Sequence, residues 1–175
     1  MNPMDRQKEG QKPQGQDRQP GVESKMDPKP LLEDPDYKGS GKLKGKVALI
    51  TGGDSGIGAA AAIAYAKEGA NLAILYLDEH SDAERTKKRA EEEQAECLLI
   101  PGDVGDEPHC QKAVRQVIDH YGKIDILVNN AAEQHPQNGI LDITTEQLEK
   151  TDKHVFNVPY DKSCTAAFAK RERHY

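Results

Sequence analysis

An α/β protein built on a parallel sheet, with helices on both faces, is what the sequence predicts, and three observations predict it. Strand-like and helix-like segments alternate from Lys46 to Ala132. The strand-like runs, such as "VALI", "NLAILYL" and "CLLI", are apolar throughout instead of at every second residue. A glycine-rich turn, "TGGDSGIG", joins the first strand to the first helix. A strand that is apolar on both sides must be buried on both sides, and the intervening helices supply the cover.

The elements follow in order. Residues 1–40 are rich in Gln, Lys, Asp, Gly and Pro and poor in β-branched residues, so they bury too little apolar surface to offset the entropy of ordering. They read as a disordered or loosely draped arm, with Met26, Leu31, Leu32 and Tyr37 as its available anchors and Pro28 and Pro30 keeping that part extended. "KVALI" is a buried-type strand, and "AAAAIAYAKEG" is an Ala-rich helix ending at Gly69. "NLAILYL" is the second strand, and "SDAERTKKRAEEEQ" is a helix whose mixed charges read as a solvated face. "CLLIPGDV" is a third strand leading into a loop. "EPHCQKAVRQVIDHYG" is a third helix with its apolar positions at Ala113, Val114, Val117, Ile118 and Tyr121. "IDILVNNAA" is the fourth strand. Right-handed crossovers wind such a series into a Rossmann-type, doubly wound open sheet, of which this would be the N-terminal part.

Composition narrows the function. The chain has 175 residues, room for one fold unit, and a net charge of −6 with no Trp, which disfavours a nucleic-acid groove or an anionic membrane and suits a small soluble ligand. The apolar runs are far shorter than a membrane span, and "MNPMDRQKEG" has no signal-peptide core, so a cytoplasmic location is expected. Cys97, Cys110 and Cys164 are odd in number and lack metal-ligand spacing; they read as reduced thiols, with no metal site.

The glycine turn carries the chemistry. Gly52, Gly56 and Gly58 stand where a strand passes into a helix, so the backbone turns tightly and comes close to a pyrophosphate at the helix N-terminus. No Lys-Ser or Lys-Thr follows, which excludes a nucleoside-triphosphate P-loop.

Three motifs in order resemble the short-chain dehydrogenase/reductase family. They are T-G-x-x-x-G-I-G at Thr51 to Gly58, an Asp-Val pair at Asp103 and Val104, and an N-N-A-G-like run at Asn129, Asn130, Ala131 and Ala132, where Ala132 replaces Gly. The likeness covers Leu43 to Thr151. "GGDSGIG", "YLDEHSDAE", "GDVGDE", "NNAAEQHPQ" and an arm with "MDPKP" look like a bacterial subgroup that includes general stress protein oxidoreductases. The resemblance implies an oxidoreductase moving hydride between NAD or NADP and an alcohol or carbonyl, and a homotetramer for the full-length form. It implies cofactor contacts from Gly52, Asp54, Ser55, Gly56, Ile57 and Gly58 in the turn and from Tyr76 at the end of the second strand. Asp103 would accept from the adenine amino group with Val104 beside the ring; Asn130, Ala131 and Ala132 would line the ribose and nicotinamide side, and Asn129 would stabilise the central strand.

At the end of the second strand the family places an Asp for NAD, or a following Arg for NADP. Here Tyr76 and Leu77 stand there, so charge has to decide. Asp54 and Asp78 would repel a ribose phosphate, which favours NAD over NADP. Glu133, Gln134 and His135 follow the fourth strand toward the substrate mouth, and His135 reads as a solvated loop histidine.

No catalytic residue is assigned. The family's Ser and Tyr-x-x-x-Lys have no counterpart: Tyr160 is followed four residues on by Cys164, and Tyr175 is last. With synonymous codons chosen for Asp152 onward, a one-base shift turns the tail into INTFSMFHMTKAALPHLQRERGII, which looks like the family's next helix and strand. Residues 152–175 therefore read as a frameshifted tail without a helix or strand period of its own. On that reading the chain is a truncated dehydrogenase that is inactive and cannot form the tetramer. The alternatives are a non-catalytic dinucleotide-binding or interaction module and a pseudogene product.

Overall fold

Four strands pair in parallel in the order β3-β2-β1-β4: β1 is Val47–Thr51, β2 Asn71–Tyr76, β3 Cys97–Pro101 and β4 Ile126–Val128. A computed structural model describes residues 25–26, 30–133, 137 and 139–156. Between the strands run α1 (Gly56–Lys67), α2 (His80–Glu91) and α3 (Glu107–Tyr121); after β4 come a 3-10 turn at Ile140–Asp142 and α4 (Thr145–Phe156). This is the Rossmann-type arrangement.

The sheet is buried on both sides because successive side chains leave a strand in opposite directions. Ala48, Ile50, Leu72, Ile74 and Tyr76 share one cluster with Ala62 and Ala66 of α1 and Ala83 and Ala90 of α2. Val47, Leu49, Ala73 and Leu75 face the other way, into a cluster with Ala113, Val114 and Val117 of α3. Each fully buried Leu or Ile in these rows contributes about 1.5–3 kcal/mol. The alanines of α1 let that helix lie close against the strands, and its buried face is Ala59, Ala62, Ile63 and Ala66.

The charged helix α2 keeps a solvated face, with Asp82, Ala83, Thr86 and Ala90 buried on its inner side. Two elements differ from the sequence reading. The fourth strand is three residues long, since beyond Val128 the backbone N–H groups of Asn130 and Ala131 turn to the Thr51 hydroxyl instead of a neighbouring strand. Helix α4 was not foreseen, and it runs five residues past Thr151. It starts at a capping box: Thr144 Oγ1 accepts from Gln147 N at 3.2 Å while Gln147 Oε1 accepts from Thr144 N at 3.1 Å. No Pro or Gly interrupts the chain before Pro159, so a nucleated helix continues through Asp152.

Residues 33–42 lie against the C-terminal ends of α1 and α2, and polar groups hold them there. Glu33 receives a two-pronged contact from Arg89, with Nε at 2.6 Å and Nη2 at 2.7 Å, and pairs with Lys67 Nζ at 2.7 Å. Glu68, only 6% exposed, accepts from the Tyr37 hydroxyl and from the backbone N–H of Ser40 and Lys42. Of the anchors named above, Tyr37 holds the segment through its hydroxyl and Leu32 is half-buried, while Met26 and Leu31 are exposed. Residues 1–24 and 27–29, over which most of the arm was expected to be unstructured, lie outside the described residues.

Candidate functional site

A strand order of 3-2-1-4 reverses direction between β1 and β4, and the crevice at the carboxyl ends of those strands is where open α/β sheets take ligands. A cleft of about 310 Å³ opens there. Its walls come from the turn after β1 (Gly52, Asp54, Ser55), the end of β2 (Leu75, Tyr76, Leu77) and the loop after β3 (Gly102, Asp103, Val104). The run after β4 (Asn130, Ala131, Ala132, Glu133) and Lys150 of α4 complete it.

The glycine turn is shaped for close backbone approach. Gly56 sits at φ +52°, in the left-handed region that side chains disfavour. At Gly58 a Cβ atom would lie 2.0 Å from the Gly52 carbonyl oxygen and 2.6 Å from Asn130 Nδ2, so only hydrogen fits. The Ser55 cap of helix α1 makes no side-chain hydrogen bond, and the first turn holds no acidic residue, so the positive end of the helix dipole lies beside the cradle. A close-packed glycine cradle beneath an uncapped helix start fits the phosphates of a dinucleotide.

Asn130 and Thr51 lock the two sides of the crevice. Thr51 is buried at the end of β1; its Oγ1 accepts from the N–H groups of Asn130 and Ala131, each at 3.0 Å. The Asn130 amide donates to the carbonyls of Thr51 at 3.1 Å and Gly52 at 3.0 Å. Asn129, just past the end of β4, is exposed.

Of the twelve expected cofactor residues, nine line the cleft: Gly52, Asp54, Ser55, Tyr76, Asp103, Val104, Asn130, Ala131 and Ala132. Gly56, Ile57 and Gly58 do not. They form the first turn of α1 beside it, with Gly58 buried and Ile57 83% exposed. Asp54 is 6% exposed, and its carboxylate accepts from Ser55 Oγ at 3.2 Å. Asp78 lies exposed beyond β2 and is not part of the lining. Asp103 Oδ1 accepts from Gly105 N at 2.7 Å, which shapes the loop after β3. The Tyr76 hydroxyl bonds His80 Nδ1 at 2.8 Å; burial raises its pKa above the ordinary value, and Glu84 and Asp54 add to that. Gln134 and His135 lie outside the described residues.

Sequence reasoning missed Lys150. Its ammonium meets Glu133 Oε1 at 2.8 Å across the rim. Seventeen residues separate the pair, and only the capping box at Thr144 to Gln147 signals a helix that brings them together.

Among the described residues, no group of three or more potential ligands could hold a metal ion, and no helix is long and apolar enough to cross a membrane. Cys97 and Cys110 are buried free thiols, with burial pushing them up to about 12 and about 11. They do not face the cleft.

Comparison with known proteins agrees with this geometry. The chain is 78% identical over 151 residues to uncharacterized oxidoreductase YhdF of Bacillus subtilis, covering 86% of this chain and 52% of that protein. It is 63% identical over 143 residues to general stress protein 39 of the same organism, covering 82% and 50%. Among solved structures, a short chain dehydrogenase from Burkholderia cenocepacia in complex with NADP superposes with a TM-score of 0.63 at 32% identity, over 74% of this chain and 51% of that one. NAD+-bound xylitol dehydrogenase superposes with a TM-score of 0.66 at 28% identity, over 74% and 50%. The chain spans about half the length of the curated relatives it matches. Residues 46–167 match the family model described as short chain dehydrogenase, and the chain belongs to the short-chain dehydrogenase family.

Proposed function

We propose that the chain carries the dinucleotide-binding part of an NAD(P)-dependent oxidoreductase that moves hydride between a nicotinamide and an alcohol or carbonyl carbon. The observation that carries this reading is the cleft at the β1/β4 reversal, with Gly58 packed at its edge so tightly that no side chain fits. A bound nicotinamide would accept or deliver the hydride. The chain's own residues do the rest: the turn from Gly52 to Gly58 holds the phosphates, Asp103 and Val104 hold the adenine end, and Asn130, Ala131 and Ala132 line the ribose and nicotinamide side. NAD is the preferred cofactor, because the buried Asp54 carboxylate and nearby Asp103 disfavour an added ribose phosphate.

The substrate is a small alcohol or carbonyl compound, the full-length assembly a homotetramer and the location the cytoplasm. Residues 43–151 form the binding domain, 1–40 an arm and 152–175 an aberrant tail. A second reading is a dinucleotide-binding module without catalysis, which the cleft and its glycine turn would serve equally well. Titration calorimetry of the 175-residue protein with NAD and NADP tests the first step; NAD binds more tightly if the reading holds, and no binding of either sinks it. Turnover assays with simple alcohols then separate dehydrogenase from binding module. Resequencing the gene across the Thr151 codon tests the frameshift.

A further inference from the structure

The cleft is lined by three carboxylates, Asp54, Asp103 and Glu133, and by one cation among the described residues, Lys150. Such a lining is an unfavourable setting for a ligand whose pyrophosphate is itself anionic. The turn at the start of α1 supplies backbone dipoles but no charged side chain. Lys150 alone carries a full positive charge to the wall of the cavity. It is held over the rim, its Nζ 2.8 Å from Glu133 Oε1, with side chains 52% and 20% exposed. Its position is set by helix α4, whose start is fixed by the Thr144 and Gln147 cap.

We propose that Lys150 is the residue that admits anionic ligands to this cleft: Glu133 stores its ammonium at the rim, and an entering phosphate takes it over. The inference rests on the dinucleotide reading above and adds a positioning residue to it. A half-exposed ammonium on a flexible four-carbon stem can change partners without moving the backbone. Its release leaves Glu133 able to return to water, because that carboxylate is also partly exposed. The same field of Glu133, Asp103 and Glu146 that holds Lys150 raises its pKa, with the Glu133 hydrogen bond the largest cause, so it is charged whenever a ligand arrives.

This predicts effects of opposite sign from two halves of one ion pair, which a purely structural bridge would not give. In the full chain at low ionic strength, Lys150→Met weakens NAD and ADP about three- to fivefold, the size an exposed charge supplies, and leaves uncharged adenosine within about twofold. Glu133→Gln tightens NAD and ADP about twofold, because the stored ammonium loses its hydrogen-bonded carboxylate, the strongest of its competitors. Lys150→Arg retains most of the affinity, and moderate salt erases the differences. Calorimetric dissociation constants for the wild type and these three variants read all of this without any turnover. If the wild type binds NAD but both substitutions weaken it equally, or neither changes it, Lys150 is only a tether and the inference fails while the cofactor reading stands. If adenosine weakens as much as ADP, charge is not the cause, and the inference again fails. If the wild type binds no adenine nucleotide, both readings fall together.

Discussion

The two ends of the sheet are built on opposite principles. At the carboxyl end, at the β1/β4 reversal, polar groups face an open cleft, and the Gly52 carbonyl and the Asn130 side-chain amide close off the space beside Gly58. At the amino end, charged side chains of α1 and α2 are used up by residues 33–42: Arg89 and Lys67 by Glu33, and Glu68 by Tyr37, Ser40 and Lys42. One end opens a cleft lined by polar groups; the other is covered by its own chain. The difference teaches that a Rossmann-type sheet tolerates polar density at both ends, and that a run of chain docked across the helix ends occupies their charged groups at one of them.

Substitutions at the two ends therefore differ in size and in kind. The largest effect is at the cleft. Gly58→Ala forces a Cβ into the Gly52 carbonyl, which displaces the turn; destabilisation of about 3 kcal/mol, at the top of the overpacking range, and loss of NAD binding are expected from denaturant melts and calorimetry. An unchanged melt would show that the turn is slack and that the comparison is wrong. Next comes Thr51→Val, which removes the acceptor of two part-buried N–H groups while keeping shape; about 1 kcal/mol is expected in the same melts, with binding weakened because Asn130 loses its seat.

At the amino end the effects leave the cleft alone. Arg89→Ala breaks the two-pronged contact to Glu33 and the 2.7 Å pair with Glu93, and costs about 1 kcal/mol with no change in NAD affinity. Loss of nucleotide affinity in this variant would mean the two ends are coupled. The smallest effect is in pH. Arg89, and then Lys67, hold the Glu33 carboxyl down at about 2 from an ordinary value of 4.5. A carboxylate whose folded pKa is depressed adds stability above its unfolded pKa and loses it as pH falls through the folded one. The docked segment should therefore loosen between about pH 4.5 and pH 2, and Arg89→Ala should flatten that slope in acid melts.

Much of this was legible in the residues. The all-apolar strands and the glycine turn give away a buried parallel sheet with a ligand at one end because both signals are local: burial on two faces requires unbroken apolar runs, and a sharp strand-to-helix turn requires glycine. Nine of the twelve cofactor residues that the resemblance implies meet at one cleft. What went unread depends on partners far away in the chain. Nothing around Glu33 announces Arg89, 56 residues on, and nothing around Asn130 announces that its amide, not that of Asn129, reaches back 79 residues to β1.

The sequence by itself determined the order and type of the first seven elements, the two-faced burial of the sheet and the place of the glycine turn. Each follows from periodicity and backbone sterics over a few residues. The tertiary structure decided the rest: the docking of residues 33–42, the length of β4, the lock between Thr51 and Asn130, and the meeting of Lys150 with Glu133. Those depend on side-chain distances between segments, and such distances exist only once the sheet has set where each helix end and loop must lie.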